Sequence, residues 1–221
     1  MYPPEESRQG WKAKAMGLFP IFVKLQQRLV VVIGAGEIAA QKIDGLLRAE
    51  AGIRVVAPEV SAAFVKPIRV GRIEWVPRKF AAGDLDGATL AIAATSAPGV
   101  NASVFREAEA RGILCNAVDD IENCHFYYGS IVQRGDLQIA ISTNGKSPAL
   151  AQRLRQELEQ QFGPEYEVWL EWLGAARELL RAADGGGTES NKQTLHQLAS
   201  KPMYERFVKE ANSEPSRQGV A

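Results

Sequence analysis

Gly34-Ala-Gly36-Glu37-Ile38-Ala39 carries the G-x-G-x-x-A spacing directly after the apolar run Arg28–Ile33. Such a loop suits a dinucleotide for physical reasons. The first glycine permits a tight turn, the second lets a pyrophosphate approach the backbone, and the small third residue lets helix close on strand. The N–H groups opening the next helix then meet the phosphates with a partial positive charge. The alternative for these residues is a tight strand–helix turn without a ligand. Pro58 and Glu59 follow the second apolar run. A carboxylate there accepts from a ribose 2′-hydroxyl and repels a 2′-phosphate, which favours NAD over NADP, while nearby Arg54 argues the other way.

Further groups have chemistry to offer. Thr95 and Ser96 end the fourth apolar run, where hydroxyls can contact ribose or nicotinamide; Ser96 is equally suited to cap a helix opening at Pro98. Asp119, in Asn116-Ala-Val-Asp119, is placed to move a proton beside a nicotinamide. Its spacing to Glu122 also fits a capping box. In Ser142-Thr143-Asn144-Gly145-Lys146-Ser147-Pro148, Ala140 stands where an ATP-binding phosphate loop needs glycine, so that reading is excluded. What remains is a polar turn with Ser147 as N-cap and Pro148 as first helical residue, offering N–H donors to an anion. Arg134, Lys146, Arg153 and Arg155 against Asp136 make a local basic excess around it. This suits an anionic substrate or, alternatively, a solvated helix start. His125 can be a proton carrier, a metal contact or a packed imidazole.

The elements that must position these groups follow from hydrophobic period. Short apolar runs at Arg28–Ile33, Ile53–Ala57, Arg72–Val76, Thr89–Ala94 and Ile113–Asn116 read as strands. Ala39, Ile43, Leu46 and Leu47 give a helical stripe, Ser61–Val70 a helical connection, and Pro98–Arg111 a helix stopped at Gly112. This rhythm predicts an α/β fold with a Rossmann-like, doubly wound parallel sheet. Gly129–Gln133 and Leu137–Ser142 then form a hairpin around Arg134-Gly-Asp136. From Pro148 the pattern is helical, with Leu150, Leu154, Leu158 and Phe162 on one face, a break at Gly163-Pro164, and an aromatic stripe at Tyr166 and Trp169 that suits a core or subunit contact. Asp184–Thr188 reads as a flexible joint. The expected organisation is a dinucleotide-binding domain over 18–121, a small strand-containing segment over 122–147 and a helical C-terminal domain over 148–212, with 1–17 and 213–221 flexible.

The 221 residues balance 26 Lys+Arg against 26 Asp+Glu, which argues against a nucleic-acid or anionic-membrane partner. Two cysteines make neither a metal knuckle nor a disulfide framework, and two histidines exclude a multi-histidine metal cage, so no resident metal is expected. With no apolar run resembling a signal-peptide core or a membrane span, a cytoplasmic location is expected.

Taken in order, Phe19-Pro-Ile-Phe-Val-Lys-Leu25, Val32–Ala39, Ala57-Pro-Glu59, Leu90–Thr95, Asn116–Asp119 and Ala140–Ala151 resemble the precorrin-2 dehydrogenase module of siroheme synthase, over roughly residues 18–165. The resemblance implies NAD⁺-dependent oxidation of precorrin-2 to sirohydrochlorin, with Fe²⁺ insertion as a second activity of some members. It implies a homodimer whose 122–147 segment dimerises, and Asp119 as the catalytic residue. It places cofactor contacts on Glu37-Ile38 and Pro58-Glu59. A polycarboxylate macrocycle suits the candidate substrate contacts His125, Ser142, Thr143, Asn144, Gly145, Lys146, Ser147 and Arg153. Thr143 and Asn144 stand where the family usually has serine or glycine. The chain ends short of the fused methyltransferase domain of trifunctional members, so methylation is not expected. The competing reading is an NAD-sensing dimeric module without chemistry.

Overall fold

The computed structural model describes residues 17–184 and 188–213, apart from the side chains of residues 184 and 211–213. The chain divides into two compact units, 1–128 and 129–221. The 185–187 joint and the two outermost termini fall outside the described residues.

In the first unit, β1 (Leu29–Ile33), α1 (Glu37–Arg48), β2 (Gly52–Val56), α2 (Ala62–Arg69), β3 (Ile73–Val76), β4 (Leu90–Ala93), α3 (Pro98–Ala110) and β5 (Leu114–Ala117) alternate as expected. All five strands are parallel, in the order β3-β2-β1-β4-β5. The continuous apolar run of β1 has a simple cause: the strand is central and covered on both faces. Val30 and Val32 pack with Ala39, Ile43 and Leu46 of α1 and with Phe64 of α2. Val31 and Ile33 face the other way, onto Val104 and Ala108 of α3 and onto Leu85. Each such side chain contributes about 1.5–3 kcal/mol by leaving water. Of Phe19–Leu25, only Leu25 enters the core.

Strand order reverses at β1, which has β2 on one side and β4 on the other. In an open parallel sheet, that reversal leaves a crevice at the carboxyl ends of the two diverging strands. Gly34 leaves β1 at this edge, and Ala94-Thr95 leave β4 there. Gly112, at φ +68°, terminates α3 as its position suggested.

In the second unit, β6 (Ser130–Arg134) and β7 (Leu137–Ile141) pair antiparallel, turning at Gly135 with φ +52°. Helices α4 (Pro148–Gln161), α5 (Glu165–Asp184), α6 (Glu189–Leu198) and α7 (Lys201–Ser213) follow. The strand pair is tied to these helices: the Arg134 guanidinium donates to the Phe162 and Glu159 carbonyls at 2.8 and 3.0 Å, closing the C-terminal end of α4. The aromatic stripe of α5 serves as core, with Tyr166 and Trp169 packed on Tyr204 of α7 at ring-centroid distances of 4.5 and 4.9 Å. Among the described residues, no helix is long and apolar enough to cross a membrane.

Candidate active site

The two loop glycines do different jobs. Gly34 has φ +97°, and a Cβ there would lie 2.5 Å from the Ala94 carbonyl oxygen, so only glycine lets the β1 and β4 exits touch. Gly36 is in an ordinary extended conformation, with φ −80°, and a Cβ there would meet nothing within 4 Å. It is also the N-cap of α1 and supplies no side-chain bond to the first-turn N–H groups. Exposed Gly36, Glu37 and Ile38 therefore border open space lined with backbone donors, whereas Ala39 is fully buried against the strand. That arrangement fits a pyrophosphate.

At the end of β2, Pro58 and Glu59 are exposed. Arg54 is held by an ion pair to Glu74 at 2.9 Å, which engages the cation that argued for a 2′-phosphate. The β4 exit holds itself together: the Thr95 hydroxyl donates to Asn101 Oδ1 at 2.7 Å, and Asn101 Nδ2 donates back to the Thr95 carbonyl at 3.0 Å. Buried Asn101 is a structural residue that sequence reasoning missed; its only signal was an amide in the first turn of α3. Of the two alternatives for Ser96, capping of this helix falls away. The N-cap position is Ala97, without a side-chain cap, and Ser96 stands exposed before it.

Asp119 leaves the same carboxyl edge in the left-handed region, with φ +62°. Asp tolerates this backbone better than most residues, at a cost of about 1–2 kcal/mol. The turn around it is over-determined. Residue 124 bridges antiparallel to residue 116, the Asn116 amide donates to the Phe126 carbonyl at 2.8 Å, and the Cys124 thiol donates to the Ala117 and Asp120 carbonyls at 3.1 Å. The capping-box reading of Asp119 is corrected as well. Asp120 caps the short 3₁₀ turn Ile121–Asn123 by accepting from the Asn123 N–H, which leaves the exposed Asp119 carboxylate outside that role.

His125 is exposed but held in place. Its ring stacks on Phe105 with centroids 4.7 Å apart, and Nδ1 accepts from the Cys115 N–H at 3.0 Å. Burial pushes the Cys115 thiol in β5 up to about 12 and also raises that of Cys124 in the turn, so both stay protonated. Among the described residues, no group of three or more His, Cys, Asp or Glu is placed to hold a metal ion.

Lys42 was not singled out by its sequence, although it flanks the buried stripe of α1. Its ammonium lies 4.2 Å from the centroid of the Tyr128 ring. Burial lowers its pKa from the ordinary lysine value, while attraction to Asp119 works in the opposite direction.

In the second unit, Ser147 caps α4 as expected, accepting from the Leu150 N–H at 3.2 Å. Thr143 and Ser147 exchange bonds: the Thr143 hydroxyl donates to the Ser147 carbonyl at 3.1 Å and accepts from the Ser147 N–H at 3.2 Å. Asn144 and Gly145 turn the chain with φ +53° and +73°. Ser142, Gly145 and Lys146 are exposed. Most of the basic side chains around this turn are already engaged. Arg134 caps α4, Arg153 pairs with Glu157 at 2.9 Å, and Arg155 pairs with Glu159. Both carboxylates lie one helical turn beyond the arginines they hold.

Comparison with known proteins agrees with this geometry. Residues 21–130 match the family model described as "Putative NAD(P)-binding", and residues 134–161 match one described as "Sirohaem biosynthesis protein central". The chain is 43% identical over 171 residues to siroheme synthase 1 of Serratia proteamaculans (strain 568), covering 76% of this chain and 36% of that one. It is 45% identical over 144 residues to the siroheme synthase of Photorhabdus laumondii subsp. laumondii, covering 65% and 31%. The chain thus spans about a third of the length of these curated relatives. Among solved structures it is similar to "SirC, precorrin-2 dehydrogenase", with a TM-score of 0.72, 25% identity, and coverage of 89% of this chain and 100% of that one.

Proposed function

The chain belongs to the siroheme-synthase and precorrin-2 dehydrogenase family, and on that premise we propose that it oxidises precorrin-2 to sirohydrochlorin with NAD⁺. The observation that carries this reading is the carboxyl edge of the first unit. There the open Gly36 cap of α1 and the exposed, turn-locked Asp119 leave the same end of one sheet. Bound NAD⁺ supplies the hydride acceptor. Gly34, Gly36, Glu37, Ile38 and Ala39 shape the pyrophosphate cradle, and Pro58-Glu59 receive the adenosine ribose. Thr95 and Ser96 border the nicotinamide end. Asp119 accepts the proton that leaves the macrocycle as the hydride departs, a role that general-base catalysis makes worth about 10²–10⁴ in rate.

Fe²⁺ insertion is a second step of the same proposal, with Fe²⁺ as substrate. Asp119 serves it too, by taking pyrrole protons. Within the second unit, Ser142, Asn144, Gly145 and Lys146 are the candidate anion contacts, with Arg153 available because an exposed i,i+4 pair is worth only about 0.3–0.5 kcal/mol. Thr143 and Ser147 support their local turn, and exposed His125 is a further candidate substrate contact. We further propose a cytoplasmic homodimer, in keeping with the free thiols of Cys115 and Cys124.

The test is an anaerobic incubation of the purified protein with precorrin-2, with and without NAD⁺, followed by Fe²⁺. The expected result is sirohydrochlorin only when NAD⁺ is present, then the metallated product. NAD⁺ binding with unchanged precorrin-2 would instead support the sensing module. Sedimentation equilibrium checks the dimer.

A further inference from the structure

Lys42 occupies the second turn of α1, next to buried Ile43. Helical side chains lean toward their own N-terminus, which directs Lys42 back toward the carboxyl edge of the sheet. The segment bearing Asp119 and Tyr128 meets it there: Val118 and Phe126 pack against the same apolar cluster that holds Ala39, Ile43 and Leu46. The ammonium is half-buried and rests on the Tyr128 ring at 4.2 Å, and neither a hydrogen-bond acceptor nor a direct ion pair engages it among the described residues. A partly desolvated ammonium with no protein acceptor carries a cost, and a π face offsets only part of it. Asp119 draws on it electrostatically without closing a salt bridge. A cation thus stands near the proposed proton acceptor with no protein acceptor of its own among the described residues.

Building on the oxidation reading above, we propose that Lys42 is a substrate-docking residue: its ammonium, steadied on the Tyr128 ring, takes a peripheral carboxylate of the macrocycle and so orients the reacting carbon toward Asp119. Docking by an ammonium is a point-charge interaction, so arginine preserves the charge and methionine keeps the apolar stem without it. The role lies in substrate binding, apart from the pyrophosphate cradle at the first turn.

Steady-state oxidation of precorrin-2 by wild type, Lys42→Met and Lys42→Arg, with NAD⁺ affinity measured in parallel, tests this. Lys42→Met should raise KM for precorrin-2 about tenfold or more, as expected for loss of a charge-assisted contact, with kcat within about threefold. Lys42→Arg should restore KM to within about threefold of wild type, and all three proteins should bind NAD⁺ alike. A Lys42→Met variant with unchanged KM overturns the assignment. So does one whose kcat alone falls, because Lys42 would then act in the chemical step. A wild-type protein that binds NAD⁺ but leaves precorrin-2 unchanged overturns the oxidation reading itself, and the docking role with it. If Lys42→Met also loses NAD⁺ affinity, Lys42 belongs to the fold or the cofactor site, and the assignment is likewise wrong.

Discussion

The turns from β1 into α1 and from β7 into α4 are built alike and finished differently. Both run from a strand through small or polar residues into a helix N-terminus, with a positive-φ glycine in the turn. At α4, Ser147 accepts from Leu150 and exchanges bonds with Thr143, so side chains meet part of the helix's own demand for acceptors. At α1, the capping residue is Gly36, which has no side chain to offer, and a Cβ added there would meet nothing within 4 Å. A glycine cap forgoes roughly a few tenths of a kcal/mol of helix stability relative to Ser, Asp or Asn. That sacrifice makes sense where an outside anion supplies the acceptors. A glycine-rich turn before a helix is therefore a weak signal by itself, and the state of the cap decides whether it is poised for a ligand.

The comparison is most severely tested at Gly36. Gly36→Asp places a carboxylate in the open cradle without displacing any neighbour. NAD⁺ affinity should fall by about 100-fold or more, equivalent to about 3 kcal/mol, with the melting temperature changed by no more than about 2 °C. Calorimetric titration and thermal unfolding check the two halves, and any Fe²⁺ insertion should survive. Gly34→Ala should fail in the opposite manner. Its Cβ would crowd the Ala94 carbonyl at 2.5 Å in a backbone with φ +97°, so stability should drop by about 2–3 kcal/mol, read from the urea midpoint. Ser147→Ala is the smallest effect, a loss of about 1 kcal/mol from the α4 cap with NAD⁺ affinity unchanged. If Ser147→Ala weakened NAD⁺ binding while Gly36→Asp did not, the assignment of open and closed caps would be reversed.

Local patterns made much of the fold legible. The apolar run of β1, the Ala39/Ile43/Leu46 stripe of α1, Pro98 opening α3 and Gly135 turning the hairpin each act through immediate neighbours. The dinucleotide loop was readable for the same reason. The other half of the site depends on contacts across the chain. Which of the adjacent acids Asp119 and Asp120 would cap the 3₁₀ turn was settled by the ties from Asn116 and Cys124, which twist Asp119 into positive φ. The role of Thr95 depended on Asn101, in the first turn of α3, bonding back to it. The engagement of Arg153 and Arg155 was not legible from the basic stretch itself, because their partners Glu157 and Glu159 lie one helical turn further on. Lys42 was invisible because a lysine beside a buried stripe is ordinary until its neighbours on other elements are known.

The most direct test of the account is a single-turnover reaction of precorrin-2 and NAD⁺ under anaerobic conditions, following NADH and sirohydrochlorin together in wild type and Asp119→Ala. The account predicts equal amounts of the two products from wild type. The Asp119→Ala variant should bind NAD⁺ normally and react about 100-fold more slowly or worse. Undiminished turnover by that variant, or sirohydrochlorin formed without matching NADH, would contradict it.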